Sequence, residues 1–225
     1  MISRRAFIKI TSGVIGAISF PSIMLAQEKK LPKVLIIGDS ISIGYTPFVK
    51  KMLSGKAEIF HNEGNAQSTW LGLEKLDSWL EGKDWDVIHF NWGLWDLCYR
   101  HPDSKVYGNR DKVNGTIDTS LEQYGINIEK LVLRLKVTGA KLIFATITPV
   151  PEGEAGRFPK DPLRYNSIAL AVMKENNVAI NDLYSIMENQ ILKYQTMEGD
   201  VHYNEEGYKI LGSKVAQSIS NQIKL

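Results

Sequence analysis

The stretch 34-VLIIGDSISIGY-45 runs four aliphatic residues into a Gly-Asp-Ser triplet. A short continuous apolar run closed by turn residues is expected of a strand buried on both faces, as in a parallel sheet. Ser40 then stands at the carboxyl end of that strand, the edge where open parallel sheets place their ligands. The triplet is either a turn with a helix cap or the seat of a nucleophile. On its own it leaves both readings open.

Working outward, comparable runs recur at Ala57–Phe60, Asp86–Phe90, Lys141–Thr146 and Val178–Ile180. Helical spacing fills the intervals. Helices are expected from Thr46 to Leu53 with Pro47 in the first turn, and from Trp70 to Leu80. A third, capped by Thr119 or Ser120, runs to Lys136, and others cover Leu163–Glu175, Asp182–Lys193 and Glu205–Ile223. This alternation predicts an α/β fold, a three-layer α/β/α sandwich around a mainly parallel five-stranded sheet. Gly38-Asp39-Ser40, Asn91-Trp92-Gly93 and Thr146-Ile147-Thr148-Pro149 all fall at carboxyl ends of strands and should converge. Residues 99–118 and 149–162 are aperiodic and read as long loops, which in compact domains are usually functional or mobile.

Bulk properties narrow the class. A chain of 225 residues with 44% hydrophobic content suits a single domain, expected over 33–225. The net charge of +2 and the lack of a Lys/Arg cluster argue against nucleic-acid binding. Cys98 is the single cysteine, so no internal disulfide forms, and no Cys/His spacing suggests zinc. Burial is its expected fate.

The opening 1-MISRRAFIKITSGVIGAISFPSIMLAQ-27 has the layout of a secretory signal: a basic start, a weakly apolar middle and a small residue near the end. Arg4 and Arg5, followed by Phe7, Ile8 and Lys9, resemble a twin-arginine export signal. The apolar run is broken by Pro21 and falls short of the ~20 residues that span a bilayer. A signal over 1–26, a linker over 27–32, no stable membrane insertion after processing and a periplasmic or secreted location are the expectations.

Serine hydrolysis needs a nucleophile, a base, a group that orients the base, and donors for an oxyanion. Ser40 supplies the first. His202, in 199-GDVHYNEEGYKILG-212, precedes a terminal helix that Asn204 can cap, which puts it on the same sheet edge. His89 lies within a strand and reads as core. His101 is in a loop, and His61 has a weaker claim than His202.

Taken in order, these segments resemble the SGNH hydrolases, the GDSL-type esterase and lipase superfamily. Gly38-Asp39-Ser40 matches the family's nucleophile motif, 62-NEGNAQST-69 its second block, 93-GLWD-96 its third, and the segment with His202, Gly207 and Tyr208 its last. The resemblance implies a flavodoxin-like sheet, ester hydrolysis by Ser40 and His202, and no cofactor or metal. It also implies an oxyanion hole built from the Ser40 N–H, the N–H of Gln67 where the family has glycine (Gly64 being the alternative), and Trp95 where the family has asparagine. Asp96 is retained and reads as structural. Gly199 stands where the family carries its acid, so Asp200 is favoured to orient His202, with Glu198 or a backbone carbonyl as alternatives.

The substrate expected from the resemblance is a small-molecule or polysaccharide ester, most simply an O-acetylated carbohydrate. Asp39, Trp92, Tyr99, Arg100 and Arg157 are the candidate substrate contacts, the aromatics stacking on sugar rings and the arginines holding an acidic sugar's carboxylate. A lysophospholipase or thioesterase acting on longer acyl chains, and a non-catalytic carbohydrate-binding relative, are the alternatives. Oligomeric state is not legible.

Overall fold

The aliphatic run forms β1 (Lys33–Ile37) in a computed structural model that describes residues 30–223. The export signal expected over residues 1–26 lies outside those residues. The other strands are β2 (Glu58–His61), β3 (Val87–Phe90), the two-residue pair β4 (Tyr99–Arg100) and β5 (Thr116–Ile117), β6 (Lys141–Ala145) and β7 (Ala179–Asn181). Five of them make one sheet in the order β2-β1-β3-β6-β7, every pairing parallel. Winding reverses between β1 and β3, so the crevice outside their carboxyl ends is the switch point of the sheet. Val34 through Ile37 are buried, as a strand covered on both faces must be. Each such side chain contributes about 1.5–3 kcal/mol by leaving water.

Among the described residues seven α-helices flank the sheet: α1 (Ser40–Met52), α2 (Thr69–Leu80), α3 (Leu121–Val137), α4 (Asp161–Glu175), α5 (Leu183–Met187), α6 (Ile191–Tyr194) and α7 (Glu205–Ile223). α1 packs on α7, while α2, α3 and α4 pack in a row. The α1–α7 crossing is close because Gly44 faces the Tyr208 ring, where a Cβ would lie 2.2 Å from the nearest ring carbon. That approach brings the amino-terminal ends of both helices, with Ser40 and the His202 loop, to one edge of the sheet.

Three expectations need correction. First, α1 begins at Ser40, six residues before Thr46, because the Asp39 side chain accepts the Ile41 N–H at 3.0 Å and caps the helix there. Pro47 therefore sits inside the helix, where it has no N–H to offer the Ile43 carbonyl. Second, residues 99–118 are not a free loop. β4 and β5 pair antiparallel, and the Asp111 carboxylate gathers the Val113 and Asn114 N–H groups, both at 2.9 Å. Third, the helix expected over 182–193 is two, α5 and α6; Asp182 caps α5 through the Ser185 N–H at 3.2 Å. The remaining boundaries agree to within two residues, and α7 is as expected.

Among the described residues no helix is long and apolar enough to cross a membrane.

Candidate active site

Ser40 opens α1 at the end of β1, and its Oγ lies 2.9 Å from His202 Nε2. The opposite ring nitrogen, Nδ1, lies 2.7 Å from Asp200 Oδ1. A carboxylate can only accept, so Nδ1 carries the proton and the unprotonated Nε2 faces the serine hydroxyl. The same Asp200 oxygen accepts the His202 backbone N–H at 3.1 Å, which fixes ring and turn together. His202 and Asp200 are partly exposed, their side chains 41% and 20% accessible, so the line opens to solvent on the His202 side.

The displaced acid has a steric cause. Gly199 takes a left-handed φ of 74° and packs on the Gly153 backbone, where an added Cβ would sit 3.0 Å from the Gly153 oxygen. A side chain at the position three before His202 is strained by both the contact and the backbone conformation. The turn closes through the Asp200 N–H to the Met197 carbonyl at 3.1 Å and delivers the Asp200 carboxylate instead. Glu198, the alternative acid, is exposed and makes no ion pair with His202.

On the other side of Ser40, residues 62–69 run beside the end of β1. Asn62 Oδ1 accepts the Gly38 N–H at 2.9 Å, and the Ala66 N–H donates to the Gly38 carbonyl at 3.0 Å. Gln67 has φ 47°, a left-handed conformation that suits glycine and explains why the family has one there. Its N–H does not stand open as expected: it donates to Asn65 Oδ1 at 2.9 Å, closing an Asx turn. Gly64 serves the same turn, its carbonyl taken by Asn62 Nδ2 at 3.2 Å. The Ser40 N–H, at the first position of α1, has no acceptor among the described residues, as helix geometry dictates. The Trp95 indole N–H is likewise without an acceptor among them, unlike the indole N–H groups of Trp85 and Trp92.

Asp96 is wholly buried and ties the start of α2 to this edge. It accepts from the Thr69 N–H at 3.0 Å and the Thr69 hydroxyl at 2.5 Å, and Asn127 Nδ2 donates in turn to that hydroxyl at 3.0 Å. Burial pushes its carboxyl up to about 7. His89 is core: burial lowers its imidazole to about 3, and Nε2 accepts from Asn181 Nδ2 at 3.1 Å.

The candidate substrate contacts fare unevenly. Trp92 is fully buried and packs against Phe90, its N–H donating to the Ala66 carbonyl at 3.3 Å, so it presents no surface to a ligand. Asp39 is also buried; it is the cap of α1, and burial raises its carboxyl. Arg157 is 5% exposed, with Nε on the Leu94 carbonyl at 2.6 Å and a guanidinium nitrogen on Glu154 at 2.9 Å. It braces the turn before Trp95 rather than reaching outward. Tyr99 packs edge-on against Phe158 and is half-buried. Arg100 alone of the five lines an open groove of about 490 Å³, together with Gln67, Ser68, Trp95, His101 and Asp118.

Glu154 lies outside the family's blocks, and Asn65 lies inside 62-NEGNAQST-69 without being one of its motif residues, so sequence reasoning points to neither. Glu154 is fully buried and binds both Arg157 and Arg110, the latter at 2.6 Å. Its only local signal is a lone acid between Gly153 and Gly156. Asn65 has a clearer one, an Asx residue two before a position that needs a left-handed backbone.

No curated protein sequence matches the chain. Among solved structures, it resembles a lipase/acylhydrolase from Enterococcus faecalis with a TM-score of 0.69 at 18% identity, covering 85% of this chain and 97% of that one. An acetyl xylan esterase aligns with a TM-score of 0.66 at 16% identity over 83% of this chain and 99% of the other. An acetylxylan esterase from Geobacillus stearothermophilus gives 0.62 at 18% identity, over 84% and 94%. At such identities these likenesses establish the fold. The sequence itself matches the GDSL-like lipase/acylhydrolase family over residues 36–210, most of the chain, and the chain therefore belongs to that family of carboxylic ester hydrolases.

Proposed function

We propose that this chain is an exported serine esterase that removes small acyl groups, acetyl foremost, from a carbohydrate. The observation that carries the reading is the Ser40–His202–Asp200 line, with contacts of 2.9 and 2.7 Å, at the switch point of the sheet. In the reaction, Ser40 Oγ attacks the ester carbonyl carbon as its proton passes to His202 Nε2. Asp200 stabilises the imidazolium that forms. The carbonyl oxygen becomes an oxyanion facing the Ser40 N–H, which lies at the positive end of α1. The Trp95 indole N–H is the second donor, in the place of the family's asparagine. Nε2 then returns the proton to the leaving sugar hydroxyl, and the acyl group stays on Ser40. Water, deprotonated by the same nitrogen, releases the acid and restores the serine.

Acetate is favoured because the open groove lined by Gln67, Ser68 and Trp95 has Arg100, His101, Asn109 and Asp118 in its walls and no Leu, Ile, Val, Met or Phe among its lining residues to hold a long chain. The acetylxylan esterases of like fold agree with a sugar ester, and the paired arginines of the leader, Arg4 and Arg5, support export. The test is hydrolysis of p-nitrophenyl esters of increasing chain length, with Ser40→Ala as control. Highest kcat/KM on acetate, abolished by Ser40→Ala, is the expected result. A preference for medium or long chains would turn the assignment towards a lipid or thioester substrate.

A further inference from the structure

The arginines around the groove are each held by a carboxylate. Arg100 lies over the Trp95 ring, 4.8 Å from guanidinium carbon to ring centroid. Its NH1 donates to the Gly108 carbonyl, and its Nε stands 3.9 Å from Asp118 Oδ1. Asp118 itself lines the groove, and both side chains are about a quarter exposed, 24% for Arg100 and 27% for Asp118. Deeper in, Arg110 and Arg157 share Glu154, at 2.6 and 2.9 Å. Arg100 and Asp118 sum to zero, and Arg157, 5% exposed and bound to Glu154 and the Leu94 carbonyl, is not among the residues that line the groove. Among the described residues that line the groove, the one arginine is already paired, while the Asp118 carboxylate stands in the wall.

Resting on the esterase reading above, we propose that the groove selects an uncharged acylated sugar and disfavours one that carries a carboxylate, with Asp118 as the specificity-determining residue. Arg100 acts as a brace. Its guanidinium holds the Trp95 indole as a neutral aromatic wall for a sugar ring and offers no fork to a uronate. A free guanidinium there would favour the opposite substrate, since bidentate capture of carboxylates is what arginine does best. This reverses the role expected for Arg100 and Arg157 from the sequence.

The test compares kcat/KM for two matched monosaccharides, an O-acetylated methyl xyloside and an O-acetylated methyl glucuronide. The neutral sugar is expected to lead by ~10-fold or more, about 1.4 kcal/mol. Asp118→Asn leaves Arg100 uncompensated and should narrow that ratio several-fold. Raising the ionic strength should narrow it in the wild type, because the discrimination acts between partly exposed charges. Equal or better turnover of the glucuronide, or a ratio that neither Asp118→Asn nor salt changes, overturns the proposal. If neither sugar ester is hydrolysed while p-nitrophenyl acetate is, the carbohydrate reading itself falls and this inference with it.

Discussion

Replacing Asp200 with alanine tests whether the acid displaced by Gly199 does the work of a triad member. Its Oδ1 is 2.7 Å from His202 Nδ1, which places the two charges of the reaction's ion pair about 4 Å apart once the imidazolium forms. At an effective dielectric of ~20 such a pair is worth about 4 kcal/mol. The His202 side chain is 41% accessible and Asp200 20%, so water recovers part of that. A loss of roughly 2–3 kcal/mol remains, or ~30- to 150-fold in kcat/KM. Asp200→Asn separates the charge from the turn, because an amide oxygen still accepts the His202 backbone N–H held at 3.1 Å. It should lose most of the same activity with little change in melting temperature. The assay is p-nitrophenyl acetate hydrolysis, with circular dichroism to confirm folding. Activity of Asp200→Ala within threefold of wild type, or a larger loss from Glu198→Ala, would refute the assignment.

Other outcomes follow from the same geometry. Trp95→Phe keeps an aromatic ring and removes the indole N–H, and kcat on p-nitrophenyl acetate should fall ~10²-fold with KM little altered. Glu154→Ala strands Arg110 and Arg157, one of them 5% exposed, and should destabilise by about 3–5 kcal/mol in denaturant titration. Asp96 contributes a pH dependence of definite sign. Its folded value of about 7 exceeds the unfolded one near 4, so the native state holds an extra proton between them, and its stabilisation is present below ~pH 4 and lost as pH rises through about 7. Asp96→Asn removes that dependence, and wild type should lose ground to it by a few kcal/mol from about pH 5 to about pH 8 in paired urea titrations. His89, held near 3 by burial, acts with the opposite sign, losing stability as pH falls, and is common to both proteins.

The sheet and its site were legible in the sequence to different depths. β1 and Ser40 could be read because a strand buried on both faces leaves an unbroken aliphatic run with an abrupt polar end. His202 could be placed because a residue just before the last helix of a parallel sheet has one edge to occupy. Asp200 followed from tether length, though its cause, the Gly199–Gly153 contact, joins segments 46 residues apart and has no local trace. Pro47 drew the expected start of α1 towards itself, although the Asp39 cap decides it. Trp92 and Arg157 were misread because an aromatic or an arginine near a strand end suits ligand and core alike. Only tertiary partners, Ala66 for one and Glu154 with Leu94 for the other, distinguish the two fates.

Covalent chemistry at Ser40 is the centre of the account. Mixing the protein with p-nitrophenyl acetate, quenching in acid and mapping peptides by mass spectrometry reads it directly. One acetyl group on the peptide containing Ser40, formed and discharged at the rate of turnover and absent from Ser40→Ala, is the predicted result. Steady hydrolysis with no acetyl on Ser40, or undiminished turnover by Ser40→Ala, would contradict it.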